Sequence, residues 1–169
     1  MLLFALLIGP EVAQAACNDS AAPGVMWRRC LMDGEDMAGV NLAKADLRGA
    51  SFKRAVLVGA DLSGSRAGGA KFISADLKQV RLEDADLKRA DFTNAMLDGA
   101  SLVRADLRGS RLYDAKLRGA DLTGALLTSA DLLRTDFSGA TWTDGVTICA
   151  AGSLGRCVNS SGPVVDDGT

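Results

Sequence analysis

Ala45-Asp46-Leu47-Arg48-Gly49 returns as Ala60-Asp61-Leu62-Ser63-Gly64, as Ala105-Asp106-Leu107-Arg108-Gly109 and as Ala120-Asp121-Leu122-Thr123-Gly124. The copies are separated by multiples of five, and the five-residue unit runs from 25 to 144 without insertion or deletion. With the bulky apolar residue taken as the centre of each unit, centres fall at every fifth position from Trp27 to Trp142. Of these 24 centres fifteen are Leu, four are Phe (Phe52, Phe72, Phe92, Phe137), two Met, two Trp, and one is Ala67. Two places before the centre stands Ala in sixteen units and a small or β-branched residue in nearly all the others; Glu35 is the clear exception. An unbroken short period over most of a chain marks a repeat architecture.

A period of five excludes the ordinary elements. On an α-helix five residues advance a side chain by about 500°, roughly 140° beyond a full turn, which smears the centres around the whole helix. On a flat strand an odd period sends alternate centres to opposite faces. Every centre can face inward only if the backbone bends after each unit. Four such bends close a square coil of 20 residues, and Phe52, Phe72 and Phe92, spaced by 20, then stack above one another. Glycine stands two places after the centre in 11 of the 24 units, where a type II turn requires a positive φ. The sequence predicts an all-β, four-sided β-helix of about six coils, with neighbouring coils ~4.8 Å apart and a rod of roughly 29 Å.

The repeated A(D/N)LxG units with central Leu or Phe resemble the pentapeptide-repeat family over about 120 of the 169 residues. The resemblance implies a right-handed quadrilateral β-helix. It also brings in the activity of some cytoplasmic members, which imitate duplex DNA and bind DNA gyrase.

The flanks carry an address and two staples. Residues 1–9, MLLFALLIG, form an apolar run too short to span a bilayer. Pro10 and then Ala13-Gln14-Ala15 follow, so 1–15 is expected to be a secretory signal peptide, although no Lys or Arg precedes the apolar run. The four cysteines, Cys17, Cys30, Cys149 and Cys157, all lie outside residues 31–148. The ends of a six-coil rod are too far apart for a disulfide, which needs Cα atoms within about 7 Å. The expected pairs are therefore Cys17–Cys30 and Cys149–Cys157, bonds that persist in the periplasm or outside the cell. The stretch from Trp142 to Cys157 resembles the C-terminal closure of secreted bacterial members of the family. The expected organisation is a signal peptide (1–15), an N-terminal cap (16–34), the repeat helix (35–144), a C-terminal cap (145–157) and a disordered tail (158–169). Trp27 and Trp142 should roof the core. At Ala67, where the column otherwise holds Leu, Phe72 is expected to lean into the gap, because an empty Leu-sized pocket costs a few kcal/mol.

Little chemistry is available to such a rod. Histidine is absent, which removes His triads, His general bases and His metal ligands. The cysteines are accounted for, no phosphate-binding loop is evident, and stacked Asp pairs such as Asp86 and Asp106 sit beside Lys88 and Arg108. No enzyme activity, cofactor or metal is expected.

The chain carries 19 basic and 21 acidic residues. Between 36 and 144 the Leu57 side has three basic and four acidic residues and the Leu62 side three and five; the Leu47 and Phe52 sides each have five and three. A mimic of duplex DNA needs about one negative charge per 1.7 Å, and this zwitterionic rod does not have it. Direct nucleic-acid binding lacks aromatic platforms. The expected function is a non-catalytic structural or interaction module of the bacterial envelope, periplasmic or secreted, meeting a protein or glycan partner. No transmembrane segment is expected in the mature chain. Ile73, Tyr113 and Leu133 form the candidate contact strip. The alternative is a cytoplasmic DNA mimic that binds gyrase or another topoisomerase.

Overall fold

The computed structural model describes residues 16–159. The expected signal peptide and residues 160–169 of the expected tail lie outside this range. The only helical segment among the described residues is a 3-10 turn, Ala16–Asn18. Everything between Met26 and Thr141 is built from one pairing rule. The residue before each centre pairs in parallel with the residue twenty further on, Met26 with Asp46, Asp46 with Arg66, and so on to Asp121 with Thr141.

The hydrogen bonds explain why five residues make one side. Around Leu87, the Asp86 N–H donates to Ser65 O of the preceding coil at 2.9 Å. The Leu87 and Arg89 N–H groups donate to Asp106 O and Arg108 O of the following coil at 2.9 and 3.1 Å. The corner is then closed by Ala90 N–H on Leu87 O at 3.0 Å. This last bond spans four residues, with the second place after the centre at the position where a type II turn needs φ above zero.

That φ is positive at every fifth residue from Gly24 to Gly139, at twelve glycines and twelve other residues, among them Arg54 (58°), Arg89 (56°) and Arg104 (56°). Glycine is therefore favoured at the corner but not required. Inter-coil bonds on both sides fix the geometry, and a non-glycine residue bears a local cost of about 1 kcal/mol.

The Asp of the repeat has its own local task. Its carboxylate accepts from the N–H of the residue after the centre, as Asp91 does from Thr93 (3.0 Å) and Asp121 from Thr123 (2.9 Å). This N–H points outward along the side and has no partner in the neighbouring coil, so a short acceptor two residues earlier satisfies it.

Centres and small residues line a continuous core. Leu42 through Leu122 are buried at every centre, and the Ala positions beside them are sealed. Phe52, Phe72 and Phe92 stack with centroids 5.2 and 5.0 Å apart and planes within 9°. Phe72 keeps its ring parallel to those of Phe52 and Phe92, so it does not tilt toward Ala67 as expected. Stacking within the ring column holds it. Glu35, out of pattern in the sequence, is exposed because it lies in the first coil.

Both ends are closed covalently. Cys17 is bonded to Cys30 and Cys149 to Cys157, with Cα atoms 5.5 and 5.0 Å apart. At the N-terminal end Trp27 is buried and its indole N–H donates to Asp19 O at 3.2 Å. At the other end the regular corner fails at Asp144 and the chain reverses. Ile148 pairs antiparallel with Thr141, Leu154 with Asp136, and Asn159 with Cys149. This hairpin occupies the edge that the last coil would otherwise leave open, the usual hazard of a solenoid end. Val158 belongs to it through Ala150 N–H on Val158 O at 2.7 Å, so the first two residues of the expected tail, Val158 and Asn159, are held in place.

Candidate functional site

With all centres inward, the outer surface consists of three places per unit: one before the centre and two after it. The expected contact strip lies in one such column. Ile73, Thr93, Tyr113 and Leu133 follow one another at intervals of 20 and are joined through corner bonds such as Ser74 N–H on Thr93 O (2.9 Å). Thr93 interrupts the column, with its hydroxyl turned to Asp91 at 2.6 Å. Ile73 and Tyr113 are half-buried, and only Leu133 stands out at 63% exposure. The large exposed apolar residues cluster towards the ends instead: Met26 and Leu31 in the first coil, Leu126, Leu133, Val146, Ile148 and Leu154 in the last coils and cap. The sequence did not reveal this, because exposure at the ends depends on which coils lack a neighbour.

Charge is organised into ladders. Pairs twenty residues apart join successive coils: Arg104 to Asp84 (2.7 Å), Arg118 to Asp98 (2.6 Å), Arg134 to Asp114 (3.1 Å) and Arg81 to Asp61 (3.3 Å). Lys88 Nζ lies between Asp86 (3.4 Å) and Asp106 (2.9 Å), so an ammonium occupies the space a cation would need. No group of residues that could hold a metal ion is found among the described residues.

The carboxylates respond accordingly. The hydrogen bond from Arg108 holds the Asp106 carboxyl far below the usual carboxylate range, with Lys88 adding to it against the cost of burial. Asp46 is lowered chiefly by its bond from Arg48. At Asp61 burial pushes upward most, but the Ser63 hydroxyl, the Ser63 N–H and the charge of Arg81 together outweigh it. These are anions fixed by donors, and none is poised to exchange a proton near neutral pH.

Two adjoining grooves mark the corner between the Leu47 and Phe52 sides. A groove of about 850 Å³ is lined by Gly68, Gly69, Lys88, Arg89, Arg108, Gly109, Thr128 and Ser129. A second, of about 470 Å³, shares Gly69, Arg89 and Gly109 and adds Lys71, Asp91 and Arg111. The two meet along the line of Gly69, Arg89 and Gly109. The sequence signal was the Gly68-Gly69 doublet, the only unit with glycine at both places after the centre. Counting charge side by side concealed a second signal. The two sides meeting here carry ten basic and six acidic residues between them, the other two six and nine. The rod has a basic edge and an acidic edge diagonally opposite.

Comparison with known proteins agrees with this geometry. A family model described as pentapeptide repeats matches eight copies, at residues 36–72, 75–112 and 105–141. Among solved structures, HetL, a pentapeptide repeat protein involved in heterocyst differentiation regulation from the cyanobacterium Nostoc sp. strain PCC 7120, is 30% identical. That match covers 73% of this chain and 68% of HetL, with a TM-score of 0.50. QnrB1, a plasmid-mediated fluoroquinolone resistance protein, is 21% identical over 68% of each chain, with a TM-score of 0.45. A pentapeptide repeat protein of the Arabidopsis thaliana thylakoid lumen is 24% identical over 78% of this chain and 86% of its own, with a TM-score of 0.34. No curated protein sequence matches. The family match over more than half of the residues and the likeness to HetL lead to one conclusion: the chain belongs to the pentapeptide-repeat family, whose members fold as right-handed quadrilateral β-helices.

Proposed function

We propose that this protein is a non-catalytic interaction scaffold of the bacterial envelope, a rod of about six coils (residues 26–141 at 20 per coil) that presents fixed columns of side chains to a protein or glycan partner. The observation that carries the reading is the pair of disulfides, one closing each end of the rod. Such bonds belong to oxidising compartments, and the apolar run ahead of Ala13-Gln14-Ala15 supplies a route to one. The surface adds support: many of its carboxylates are engaged by Arg and Lys of the same unit or an adjacent coil, which suits a static recognition face and not a proton-transfer site. Among the described residues no helix is long and apolar enough to cross a membrane.

N-terminal sequencing of the mature protein from fractionated cells tests the compartment. A start at Ala16 in periplasm or medium is expected; an intact Met1 in the cytoplasm overturns it. Pull-down from envelope extract with the native chain and with an Ile73/Tyr113/Leu133→Ser variant tests the strip, and identical partner sets dismiss it. The gyrase-binding alternative has the acidic edge in its favour, but six basic residues are interleaved with the nine acidic ones there. A mimic needs a face of unpaired negative charge, whereas Asp61, Asp84, Asp98, Asp106 and Asp114 are all ion-paired. Added protein is expected to leave DNA supercoiling by gyrase unchanged.

A further inference from the structure

We propose that the corner notch at Gly68–Gly69 is a binding site for an anionic ester group, a phosphate or sulfate carried on a glycan chain, with Arg89 and Lys71 as its principal cations. Four features converge there. The first is shape. Gly68 and Gly69 leave both places after the centre of one unit without a side chain, and grooves of about 850 and 470 Å³ meet at that point.

The second is free positive charge. Most basic groups of the rod are engaged by carboxylates: Lys88 by Asp86 and Asp106, Arg108 by Asp106, Arg111 by Asp91. Arg89 and Lys71 make no side-chain hydrogen bond or ion pair with any described residue, although both line these grooves. Arg89 takes its place at a left-handed corner (φ 56°) between Gly69 and Gly109 of the adjoining coils. Its Cγ lies 3.7 Å from where a Cβ on Gly109 would be, an ordinary van der Waals distance, so its stem runs along the Gly109 backbone.

The third is an open backbone donor. In the Asp-bearing units of this side the N–H after the centre is covered by the Asp two residues earlier, as Arg108 is by Asp106 and Lys88 by Asp86 (both 3.3 Å), whereas Thr128, after Leu126, shares the open state of Gly68. At Gly68 that earlier residue is Arg66, which has no acceptor to offer. The Gly68 N–H therefore has no acceptor among the described residues and no side chain of its own above it. The fourth is the field: the notch sits on the basic edge, where the two richest sides meet, so an approaching anion is attracted from a distance. Guanidinium, ammonium and a backbone N–H around one depression are the donors an oxyanion takes, with Arg matching its geometry in bidentate fashion.

A glycan ester is favoured over a nucleic acid because no aromatic ring lines either groove to stack a base. Paired Asp46, Asp86, Asp91 and Asp106 also break the positive charge into isolated points, which suits spaced ester groups better than a continuous phosphate backbone. The proposal rests on the reading of the rod as an interaction scaffold and specifies the chemistry of one partner.

The test is binding of purified protein, at 0.15 M salt, to dextran sulfate, phosphorylated dextran, unmodified dextran and a single-stranded oligodeoxynucleotide. Both charged dextrans are expected to bind and the unmodified one not. Which of the two binds more tightly identifies the ester. Arg89→Ser should weaken binding roughly 10-fold, as loss of a principal ester contact would. Gly68→Leu should weaken it by about 5-fold without any change of charge, because it fills the notch and covers the N–H. Gly68 is outside the left-handed region, and its added Cβ would meet nothing closer than Lys88 O at 3.7 Å, so this variant keeps the fold. Lys78→Gln, which removes one charge from the opposite edge, should change affinity less than about 2-fold, a screened and distant effect. The proposal is overturned if neither charged dextran binds, if Gly68→Leu binds as well as the native chain, or if Lys78→Gln loses as much as Arg89→Ser. Equal binding of the oligonucleotide also overturns it, by showing undirected attraction of polyanions. Each of these results leaves the envelope pull-down free to succeed or fail on its own.

Discussion

Ala67→Leu should make this protein more stable, and the size of the gain measures how the core treats a missing side chain. Ala67 is fully buried in a column with Leu47 one coil before and Leu87 one coil after, both also fully buried. The coil carrying Ala67 has not sunk inward to compensate. Leu47 N–H donates to Arg66 O and Ala67 N–H to Asp86 O, each at 2.8 Å, and Gly69 N–H to Lys88 O at 2.8 Å, close to the 2.9 and 3.1 Å of the matching bonds from Leu87 and Arg89. Nor has Phe72 moved across, since it keeps within 9° of the planes of Phe52 and Phe92. The three carbons that distinguish Leu from Ala are thus worth up to about 2.4 kcal/mol at ~0.8 kcal/mol per buried carbon. Against this stand about 0.5–1 kcal/mol of side-chain entropy and some residual strain. A net gain of about 1–2 kcal/mol remains, equivalent to roughly 2–8 °C in Tm for a domain of this size. Urea unfolding with both intrinsic fluorescence and circular dichroism should show the midpoint rise at unchanged slope, which keeps the comparison valid for a solenoid. Leu87→Ala in the same background should lose about 2–5 kcal/mol. If Ala67→Leu is neutral or destabilising while Leu87→Ala is costly, the space beside Ala67 is already occupied and the reasoning fails.

Other consequences follow from the corners, the carboxylates and the staples. Gly59→Ala and Gly124→Ala both place a Cβ at positive φ, 64° and 70°. The first meets open space and the second comes within 3.3 Å of Arg104 Cγ, so thermal unfolding should show a loss of about 1 kcal/mol for Gly59→Ala and more for Gly124→Ala. Asp106 has a carboxyl pKa lowered in the folded state by Arg108 and Lys88. Its contribution is fully present above the unfolded carboxyl pKa of about 3.9 and is lost as pH falls through the folded value. Between pH 4 and pH 2 the native chain should lose more stability than Asp106→Asn, and parallel urea midpoints would contradict this. Replacing Cys149 and Cys157 by Ser opens a loop of sequence separation 8, which should cost about 2–3 kcal/mol. Hydrogen exchange should then rise first in the hairpin from Gly145 to Asn159 and leave the Phe52–Phe92 column protected. Uniform loss of protection would show that the cap is no separate unit.

The inward half of this molecule was legible because only one backbone path buries a Leu every five residues beside an Ala. Leu47, Leu87 and Leu107 each had to reach the same wall, and the spacing of Phe52, Phe72 and Phe92 fixed the number of sides. The corner was read from its glycines, yet Arg54 and Asn94 take the same turn; inter-coil bonds impose it, and those are invisible in a local stretch of sequence. Phe72 was misjudged for a related reason. From the sequence its nearest partner is Ala67, five residues away, but in the structure it answers to Phe52 and Phe92, twenty away. Surface chemistry was the least legible part, because the outward places are free of the folding constraint. Arg89 and Arg108 look alike as letters, and only the register shows that one is held by Asp106 while the other is not.

The unit Ser65-Arg66-Ala67-Gly68-Gly69 departs from the repeat inside and outside at once, and this makes it the soft point of the rod as well as its notch. Inside, Ala67 gives up the burial of three carbons, and the Ser65 hydroxyl is sealed with no hydrogen-bond partner. A buried unsatisfied hydroxyl costs about 1–3 kcal/mol. Outside, Arg66 replaces the carboxylate that in the Asp-bearing units accepts from the N–H after the centre, and Gly68 adds backbone freedom that folding must withdraw. The coil nonetheless keeps every inter-coil bond, because those bonds come from the backbone and are shared with Leu47 and Leu87, whose units follow the pattern. A solenoid is stabilised by nearest neighbours, so one weak unit between two sound ones is tolerated, and two weak units in succession would not be. Such a position is where a repeat protein can accommodate an irregular surface at least risk to the fold. The notch lies between two complete Leu-bearing units, and its open N–H, unpaired Arg89 and missing side chains are consequences of the same five residues and their neighbours one coil away.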